Sequence, residues 1–438
     1  TEHNEVAPAQ HEMAPIFNTV NIAADHNQLT MEIMKKVADR HGMVCLLHEK
    51  PFGGVNGSGK HNNYALSTDR GVNLLEPGDT PSENAQFLVF LSAIIAAVDD
   101  HQDLLRVTVS YAGNDHRLGA NEAPPAIISI FLGDELNEVI ESIVSESKYA
   151  AHERSQMKLG VHILPKFPKD STDRNRTSPF AFTGNKFEFR SLGSSQSISG
   201  PNVVLNTIVA DQLMRMADEL EAAPDFTAAV DALIRKTLKN HMRIIFNGNG
   251  YDESWVEAAA RRGLLNLRTT VDALPYYVTP ENIALFERQK VFSAEEVQSR
   301  YEMKLENYVK VIDIEALSML DIARHLILPA AIRYAGDVAR ELREKQAVLP
   351  ALKCPAEEDL LTRLTQHTNG LYACIGGLEK VLNAMDRDTD LLTQARYTRD
   401  HVVTAMDALR AQGDALETLV GKAYWPMPTY HDLMTSEG

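Results

Sequence analysis

Hydrophobic and polar positions follow different periods in the two halves of the chain. In the first half, short apolar runs between Gly, Asn and Pro turns predict strands at 43–47, 107–111, 126–132 and 186–190. Apolar residues at Leu29, Ile33 and Val37 form a helical stripe, which predicts a helix over 27–41. Gly42 follows directly and is suited to cap the end of that helix.

From about residue 285 onward the pattern is almost wholly helical. Ser293 and Glu296 form a capping box before a long periodic segment. Pro329 should kink the helix predicted over 314–346, because proline lacks the backbone N–H that a helix interior needs. Two more helices are predicted at 356–385 and 391–421. The pattern therefore predicts an α+β fold with two domains, 1–270 and 271–438.

Composition narrows the class of protein. The 438 residues include 43 Lys and Arg against 60 Asp and Glu, a net charge of −17. Such a chain lacks the broad positive surface that binds nucleic acid or anionic membranes, so we expect neither as a partner. The longest apolar run, 87–98, is too short to span a bilayer. Three widely spaced cysteines form no disulfide framework or zinc motif. We expect a soluble, cytoplasmic protein.

Two carboxylates flank a proline near the start of the chain. If Pro8 and Ala9 form a tight turn, Glu5 and Glu12 face each other directly across a hairpin. Opposed carboxylates repel across a strand pair, and a divalent cation between them would reverse the sign of that interaction. The alternative is that both are solvated surface glutamates.

A glycine-rich segment, KPFGGVNGSGKHNN, occupies 50–63. Its four glycines let the backbone approach a ligand and offer N–H groups to an anion. Residues 54–60 match the first seven positions of the G-x-x-x-x-G-K phosphate loop, but His61 replaces the Ser or Thr whose hydroxyl holds Mg²⁺. Because a strand-like run follows rather than a helix, we reject that interpretation. An ordinary loop remains the alternative.

Two other segments carry guanidinium groups. Residues 113–125 place Arg117 and Glu122 on a predicted loop, a weak signal by itself. In the run FEFRS, alternation predicts a strand whose Phe187 and Phe189 face the core. Glu188 and Arg190 then share the other face and could serve a cation and an anionic substrate together. The alternative is a structural salt bridge.

Taken together, these segments supply metal ligands and cations. The candidate ligands are Glu5, Glu12, Glu188 and His61, and the guanidinium groups are those of Arg117, Arg176 and Arg190. Metal ions and arginines are the groups that phosphoryl transfer needs, because positioning and charge neutralisation are most of the work. Carboxylates with one imidazole suit Mg²⁺ or Mn²⁺ better than structural zinc.

These motifs resemble those of glutamine synthetases. Segment 4–12 resembles the family's metal-binding hairpin, 50–63 its glutamate- and ATP-binding loop, 117–125 its arginine–glutamate flap and 175–190 its closing phosphate and metal strand. The four occur in the family's order, and details such as NGSGKHNN resemble the type III branch. The resemblance covers essentially the whole chain. It implies a catalytic domain of antiparallel sheet with flanking helices, followed by a C-terminal helical bundle.

The resemblance also implies a reaction, which is ATP-dependent ligation of ammonia to L-glutamate through γ-glutamyl phosphate. It implies two or more Mg²⁺ or Mn²⁺ ions and a homo-oligomer, typically a dodecamer. By matching motifs it implies metal ligation by Glu5, Glu12, His61 and Glu188, substrate binding by Asn56, Gly57, Arg117 and Arg190, nucleotide contacts by Asn63 and Arg176, and catalysis by Glu122, Arg176 and Arg190.

The chain departs from the family pattern at three places. Asn63 stands where many relatives carry a nucleotide-contacting histidine, and Ala181 where many carry a phosphate-binding arginine. The family's N-terminal β-grasp region is absent before the hairpin, and the chain begins at Thr1 without a methionine. We therefore expect a C-terminal catalytic portion with little activity in isolation.

Two other functions remain open at this point. One is γ-glutamylation of a different amine, since relatives that do this keep the metal and ATP residues. The other is a non-catalytic fragment or assembly domain. The presence of all four candidate metal ligands disfavours the second for the parent protein.

Overall fold

The computed structural model describes residues 2–5, 10–120, 123–147 and 178–435. Its backbone contacts separate two compact units. The first unit is Ala14–Ser299, and the second combines Glu2–Met13 with Arg300–Gly438. The division into domains 1–270 and 271–438 stays a prediction.

The first unit contains a four-stranded sheet within its described residues. Its strands are β3 (Gly59–Tyr64), β4 (Ile130–Phe131), β5 (Phe180–Phe182) and β6 (Phe187–Gly193), and β1 (Glu2–Asn4) and β2 (His11–Met13) form a separate hairpin in the second unit. The order across the sheet is β3-β6-β5-β4. β6 is antiparallel to both β3 and β5, whereas β4 and β5 are parallel. The sheet is therefore mixed rather than purely antiparallel, and the predicted α+β class is confirmed.

Most of the other elements are helices. Those of the first unit are α1 (Val20–Arg40), α2 (Ala85–Asp100), α3 (Gln102–Thr108), α4 (Ala112–Asp115), α5 (Asp134–Ser145), α6 (Ser199–Glu221), α7 (Phe226–His241), α8 (Glu253–Arg261), α9 (Thr270–Ala273) and α10 (Pro280–Arg288). From residue 294 the helices are α11 (Ala294–Ile322), α12 (Leu328–Val348), α13 (Pro355–Ala384), α14 (Leu391–Tyr397), α15 (Thr404–Leu419) and α16 (Tyr430–Thr435). The predicted change to an all-helical second half is confirmed.

α2 is buried on nearly every side. The Asn84 side chain caps it by accepting a hydrogen bond from the Phe87 backbone N–H at 3.1 Å. The apolar run at 87–98 lies within this helix, which explains why its residues show no polar face. Within the described part of the chain, none of the helices has both the length and the apolar character that crossing a membrane requires.

The strand prediction at 186–190 is confirmed by β6. Phe187 and Phe189 are fully buried, and the Phe187 ring stacks on Phe180 at 4.6 Å between centroids. Phe182 meets the Phe187 ring edge-on at 5.2 Å. This aromatic cluster buries one face of β6 and leaves its other face to charged side chains.

Two strand predictions are wrong and a third is only partly right. Residues 107–111 lie at the end of α3 and in the following turn, because helical spacing buries Leu104, Leu105 and Val107 together. Residues 43–47 form no regular element, and only Ile130–Phe131 of the 126–132 run is a strand. Short β-branched runs are ambiguous between strand and buried helix, and packing decides between them.

The helix boundaries follow their predicted signals. α1 begins earlier than the periodic stripe but ends as predicted, with Gly42 at φ +69°. The Gly42 and Met43 N–H groups bond to the carbonyls of Asp39 and Ala38, which is the Schellman arrangement. Ser293 and Glu296 exchange both capping-box hydrogen bonds at 2.8 and 3.3 Å.

The α-helical pattern is interrupted just before Pro329, where a kink was predicted. A π-helical segment, Ala323–Ile327, separates α11 from α12, and Pro329 is the second residue of α12. Proline cannot donate the hydrogen bond that a continuous α-helix requires at this position, so the helix is re-registered just before it. A second π segment, Thr398–Val403, lies between α14 and α15.

Candidate functional site

A bulge in the central strand pair places the predicted charged residues. Lys60 of β3 pairs with Leu192, and Asn62 pairs with Phe189, so His61 alone lies opposite two residues of β6, Arg190 and Ser191. The extra residue shifts the inward and outward alternation of β6 by one position, so that Leu192 is again buried.

Glu188, Arg190 and His61 are neighbours at this bulge. The Glu188 Oε2 atom accepts a hydrogen bond from Arg190 Nη2 at 3.1 Å. The same oxygen lies 4.0 Å from Nδ1 of His61. Arg190 is buried, whereas the side chains of His61 and Glu188 keep 45% and 16% of their exposure. The arrangement presents one carboxylate and one imidazole to solvent with a guanidinium group behind the carboxylate.

The donor set fits a hard divalent cation. An ion about 2.1 Å from each ligand spans up to about 4.2 Å between them, so the separation of the His61 and Glu188 atoms allows both to bind one ion. Carboxylate oxygen with a single imidazole is the ligand chemistry that Mg²⁺ or Mn²⁺ accepts.

A row of paired residues crosses the sheet at Glu188. Asn63 lies opposite it on β3, and Ala181 lies opposite it on β5. Directly paired residues share a face, so these three positions point the same way. The two substituted positions, Asn63 and Ala181, therefore flank the predicted metal ligand.

The glycine-rich loop packs directly on Arg117. A Cβ atom on Gly59 would lie 2.1 Å from Arg117 Nη2, and one on Gly57 would lie 3.0 Å from Arg117 Cγ. Only glycine permits this approach at Gly59. The loop leads into β3 rather than a helix, so the rejection of the phosphate-loop interpretation is confirmed. Asn56 adds a buried Nδ2 atom that finds no hydrogen-bond partner among the described residues.

Arg117 is a buried cation held by neutral acceptors. Its Nη2 donates to the carbonyl of Arg190 at 3.1 Å and its Nη1 to Asn114 Oδ1 at 3.3 Å. Burial lowers the pKa of the guanidinium group to about 10, while the charge of Glu49 opposes that shift. The guanidinium group therefore remains positively charged at neutral pH, beside the loop predicted to bind substrate.

Glu49 is a buried acid at this site that the sequence analysis did not single out. It is 1% exposed, and its Oε1 atom accepts a hydrogen bond from the Ser195 N–H at 2.9 Å and another from the Ser195 hydroxyl. A Cβ on Gly113 or Gly193 would lie 2.7 or 2.5 Å from its carboxylate oxygens. Nothing in the spacing of one acid before Lys50 distinguishes it from a surface glutamate.

The hairpin differs from its prediction. β1 and β2 pair with His3 opposite Glu12, and the Glu5 N–H donates to the Gln10 carbonyl at 2.9 Å. Glu5 is therefore opposite Gln10, and the expectation that Glu5 and Glu12 face each other directly is wrong. They are diagonal neighbours on one face, because they are displaced by two residues.

The predicted metal ligands lie in two different compact units. Glu5 and Glu12 belong to the second compact unit, whereas His61 and Glu188 belong to the first. That Glu5 and Glu12 hold one metal ion, and His61 and Glu188 a second, stays a prediction. Glu122 and Arg176 lie outside the described residues.

A different cluster also contains potential ligands. Asp99, Asp100 and His241 have ligand atoms within 4.8 Å of one another. Asp99, however, accepts hydrogen bonds from Arg243 Nε at 2.8 and 3.0 Å and lies 2.8 Å from Nδ1 of His241. Arg243 and His241 already neutralise and hydrogen-bond the buried Asp99 carboxylate, so we interpret the cluster as a structural salt bridge.

Comparison with known proteins agrees with the motifs. The profile described as "Glutamine synthetase, catalytic domain" matches residues 1–128, and "Glutamine synthetase C-terminal domain" matches 229–346. A glutamine synthetase of Butyrivibrio fibrisolvens is 46% identical over 445 residues, covering 100% of this chain and 62% of the relative. The type-3 glutamine synthetase of Dictyostelium discoideum is 46% identical, covering 99% and 60%. A glutamine synthetase of Bacteroides fragilis is 37% identical, covering 99% and 61%.

The chain thus spans about three fifths of the length of these relatives. Similarity extends over its whole length, and the matched segments contain the bulged strand pair and the glycine-rich loop. On these grounds the chain belongs to the glutamine synthetase family, and its motifs are those of the type III branch.

Proposed function

We propose that the protein makes L-glutamine from L-glutamate and ammonium, using ATP and passing through γ-glutamyl phosphate. The observation that carries this proposal is the convergence of His61, Glu188 and Arg190 at one bulge, with Arg117 bonded to the Arg190 carbonyl. A cation-binding pair and two buried guanidinium groups adjoin one glycine-rich loop. This combination suits transfer of a phosphoryl group to a carboxylate.

His61 and Glu188 would hold a Mg²⁺ or Mn²⁺ ion in this proposal, together with Glu5 and Glu12 for a further ion. When bound, the metal neutralises phosphate oxygens of ATP. Arg190 orients Glu188 through their hydrogen bond, which would hold the carboxylate in one conformation for the cation.

Arg117 would bind the α-carboxylate of glutamate. Its recorded hydrogen bonds among the described residues use two of the five N–H donors of a guanidinium group, which leaves donors for a substrate. Asn56 would add its buried amide N–H, and Gly57 would let the substrate approach the backbone. Arg176 and Asn63 would contact the nucleotide, and Glu122 would help to deprotonate ammonium.

Replacing Glu188 by Gln tests the assignment. The variant keeps the shape of the side chain but removes the charge that binds a cation. We expect kcat for glutamine formation to fall by at least about 100-fold, as for loss of a main electrostatic group. Glu257→Gln is the matched control, because that glutamate is 79% exposed on α8.

Glutamine and phosphate would be measured with ATP, Mg²⁺, L-glutamate and ammonium, using protein expressed from its complete reading frame. Near-normal kcat in Glu188→Gln would refute the metal assignment. Parallel reactions with a polyamine or an aromatic amine identify the amine substrate. Faster turnover with either than with ammonium would show that the substrate is a larger amine. We further propose that the protein is cytoplasmic and forms a homo-oligomer, which the family resemblance makes a dodecamer. Measuring the mass of the assembly in solution tests the oligomeric state.

A further inference from the structure

Glu49 connects two parts of the site that are distant in sequence. Its backbone carbonyl accepts a hydrogen bond from the Ser58 N–H at 2.8 Å, inside the glycine-rich loop. Its carboxylate accepts two hydrogen bonds from Ser195, just after β6 ends at Gly193. One residue therefore holds the loop before β3 and the end of the strand that carries Glu188.

Four glycines make room for Glu49 and Arg117. Gly113 and Gly193 lie against the Glu49 carboxylate, at 2.7 and 2.5 Å from where their Cβ atoms would stand. Gly57 and Gly59 lie in the same way against Arg117. Any larger side chain at these positions would displace the acid or the guanidinium group, so their placement depends on close backbone packing.

Uncharged acceptors hold the Arg117 guanidinium group. Its two recorded hydrogen bonds go to uncharged oxygen atoms, and among the described residues it has no carboxylate within the 4.0 Å that defines an ion pair. Glu49 nevertheless stabilises the charged guanidinium through space. A carboxylate that favours the cation without a hydrogen bond to it leaves the N–H groups of the guanidinium available to a substrate.

We propose that Glu49 is a positioning residue that holds Arg117 and the glycine-rich loop ready for the α-carboxylate of the amino-acid substrate. This inference rests on the proposed function, since Arg117 is assigned to glutamate there. It adds that affinity for glutamate depends on a buried carboxylate that does not touch the substrate.

The test replaces Glu49 by Gln and by Asp. Gln keeps an oxygen that can accept from Ser195 but removes the charge, whereas Asp keeps the charge on a shorter side chain. We expect Glu49→Gln to raise KM for glutamate at least about tenfold, which corresponds to a loss of about 1.4 kcal/mol of binding. The kcat and the KM for ATP should stay within about threefold, and Asp should recover part of the glutamate affinity.

Asp211→Asn is the matched control: Asp211 is also 1% exposed, and the substitution removes one negative charge from a carboxylate that pairs with Arg215 and Arg288, neither of which is a predicted site residue. Its KM for glutamate should not change. An unchanged KM in Glu49→Gln, or equal losses for glutamate, ATP and kcat, would overturn the proposal in favour of a purely structural role.

Calorimetric titration with L-glutamate separates this inference from the proposed function. If wild-type protein binds glutamate, and Glu49→Gln binds it at least about tenfold more weakly, the positioning role stands even when no glutamine is formed. If the wild type forms glutamine but Glu49→Gln binds glutamate normally, the function stands and the positioning role is refuted.

Discussion

Phe187 lies on the core side of β6, next to Glu188 on the opposite face. Replacing it by Ala removes a fully buried ring that stacks on Phe180 and meets Phe182 edge-on. Truncation of a buried phenylalanine costs about 3–5 kcal/mol, and each lost aromatic pair accounts for about 0.5–1.5 kcal/mol. We therefore expect the free energy of unfolding to fall by about 4 kcal/mol.

The two tryptophans allow this loss to be assigned to the first unit. Trp255 is buried in α8 of that unit and Trp425 lies in the second, so a Trp425→Phe background leaves one reporter in the first. Urea unfolding followed by fluorescence gives the midpoint, which should fall by about 1–2 M if the slope is about 2–3 kcal/mol/M.

Phe226→Ala is the control, because Phe226 is 64% exposed and its loss should change stability by less than about 0.5 kcal/mol. Glu188→Gln should cost at most about 2 kcal/mol, since it weakens one charge-assisted hydrogen bond. A loss below about 1 kcal/mol in Phe187→Ala would mean that the inward face of β6 is misassigned and that the position of Glu188 must be reconsidered.

Two further substitutions probe the site and its frame. Gly59→Ala should raise KM for glutamate by about tenfold, because the new methyl group displaces the Arg117 guanidinium. Gly376→Ala is the control and should leave KM unchanged, because Gly376 has open space around it. Equal KM values in the two variants would contradict the contact between Gly59 and Arg117. Asp211→Asn should lower the free energy of unfolding by about 1.5–3 kcal/mol at pH 7, as it weakens the paired hydrogen bonds from Arg288. Burial raises the pKa of Asp211, but the hydrogen bonds and charge of Arg288 and its neighbours outweigh this and hold the pKa below 3.8. The stabilisation is therefore present above that value, and urea unfolding at a series of pH values should show the difference from wild type shrinking as the pH falls below about 4. A constant difference would refute the ionic contribution.

Much of the local structure could be predicted from sequence, because it depends on neighbouring residues. The alternation Phe187-Glu188-Phe189 predicted the buried and charged faces of β6, and those faces are confirmed. Gly42 and the Ser293 capping box predicted helix boundaries for the same reason, since each bonds within one turn of itself. The order and content of the motifs sufficed to identify the family.

Only the tertiary structure decided the features that depend on distant residues. The close approach of Gly59 to Arg117 and the burial of Glu49 against Gly193 join segments that are far apart in the chain. The hairpin register at Glu5 is a local feature that depends on how the turn closes, and its prediction was also wrong. Side-chain periodicity and helix capping depend on neighbouring residues, so they can be predicted from the sequence. Burial of a charge and contact across a sheet are set by how the whole unit packs, and no spacing along the chain encodes them.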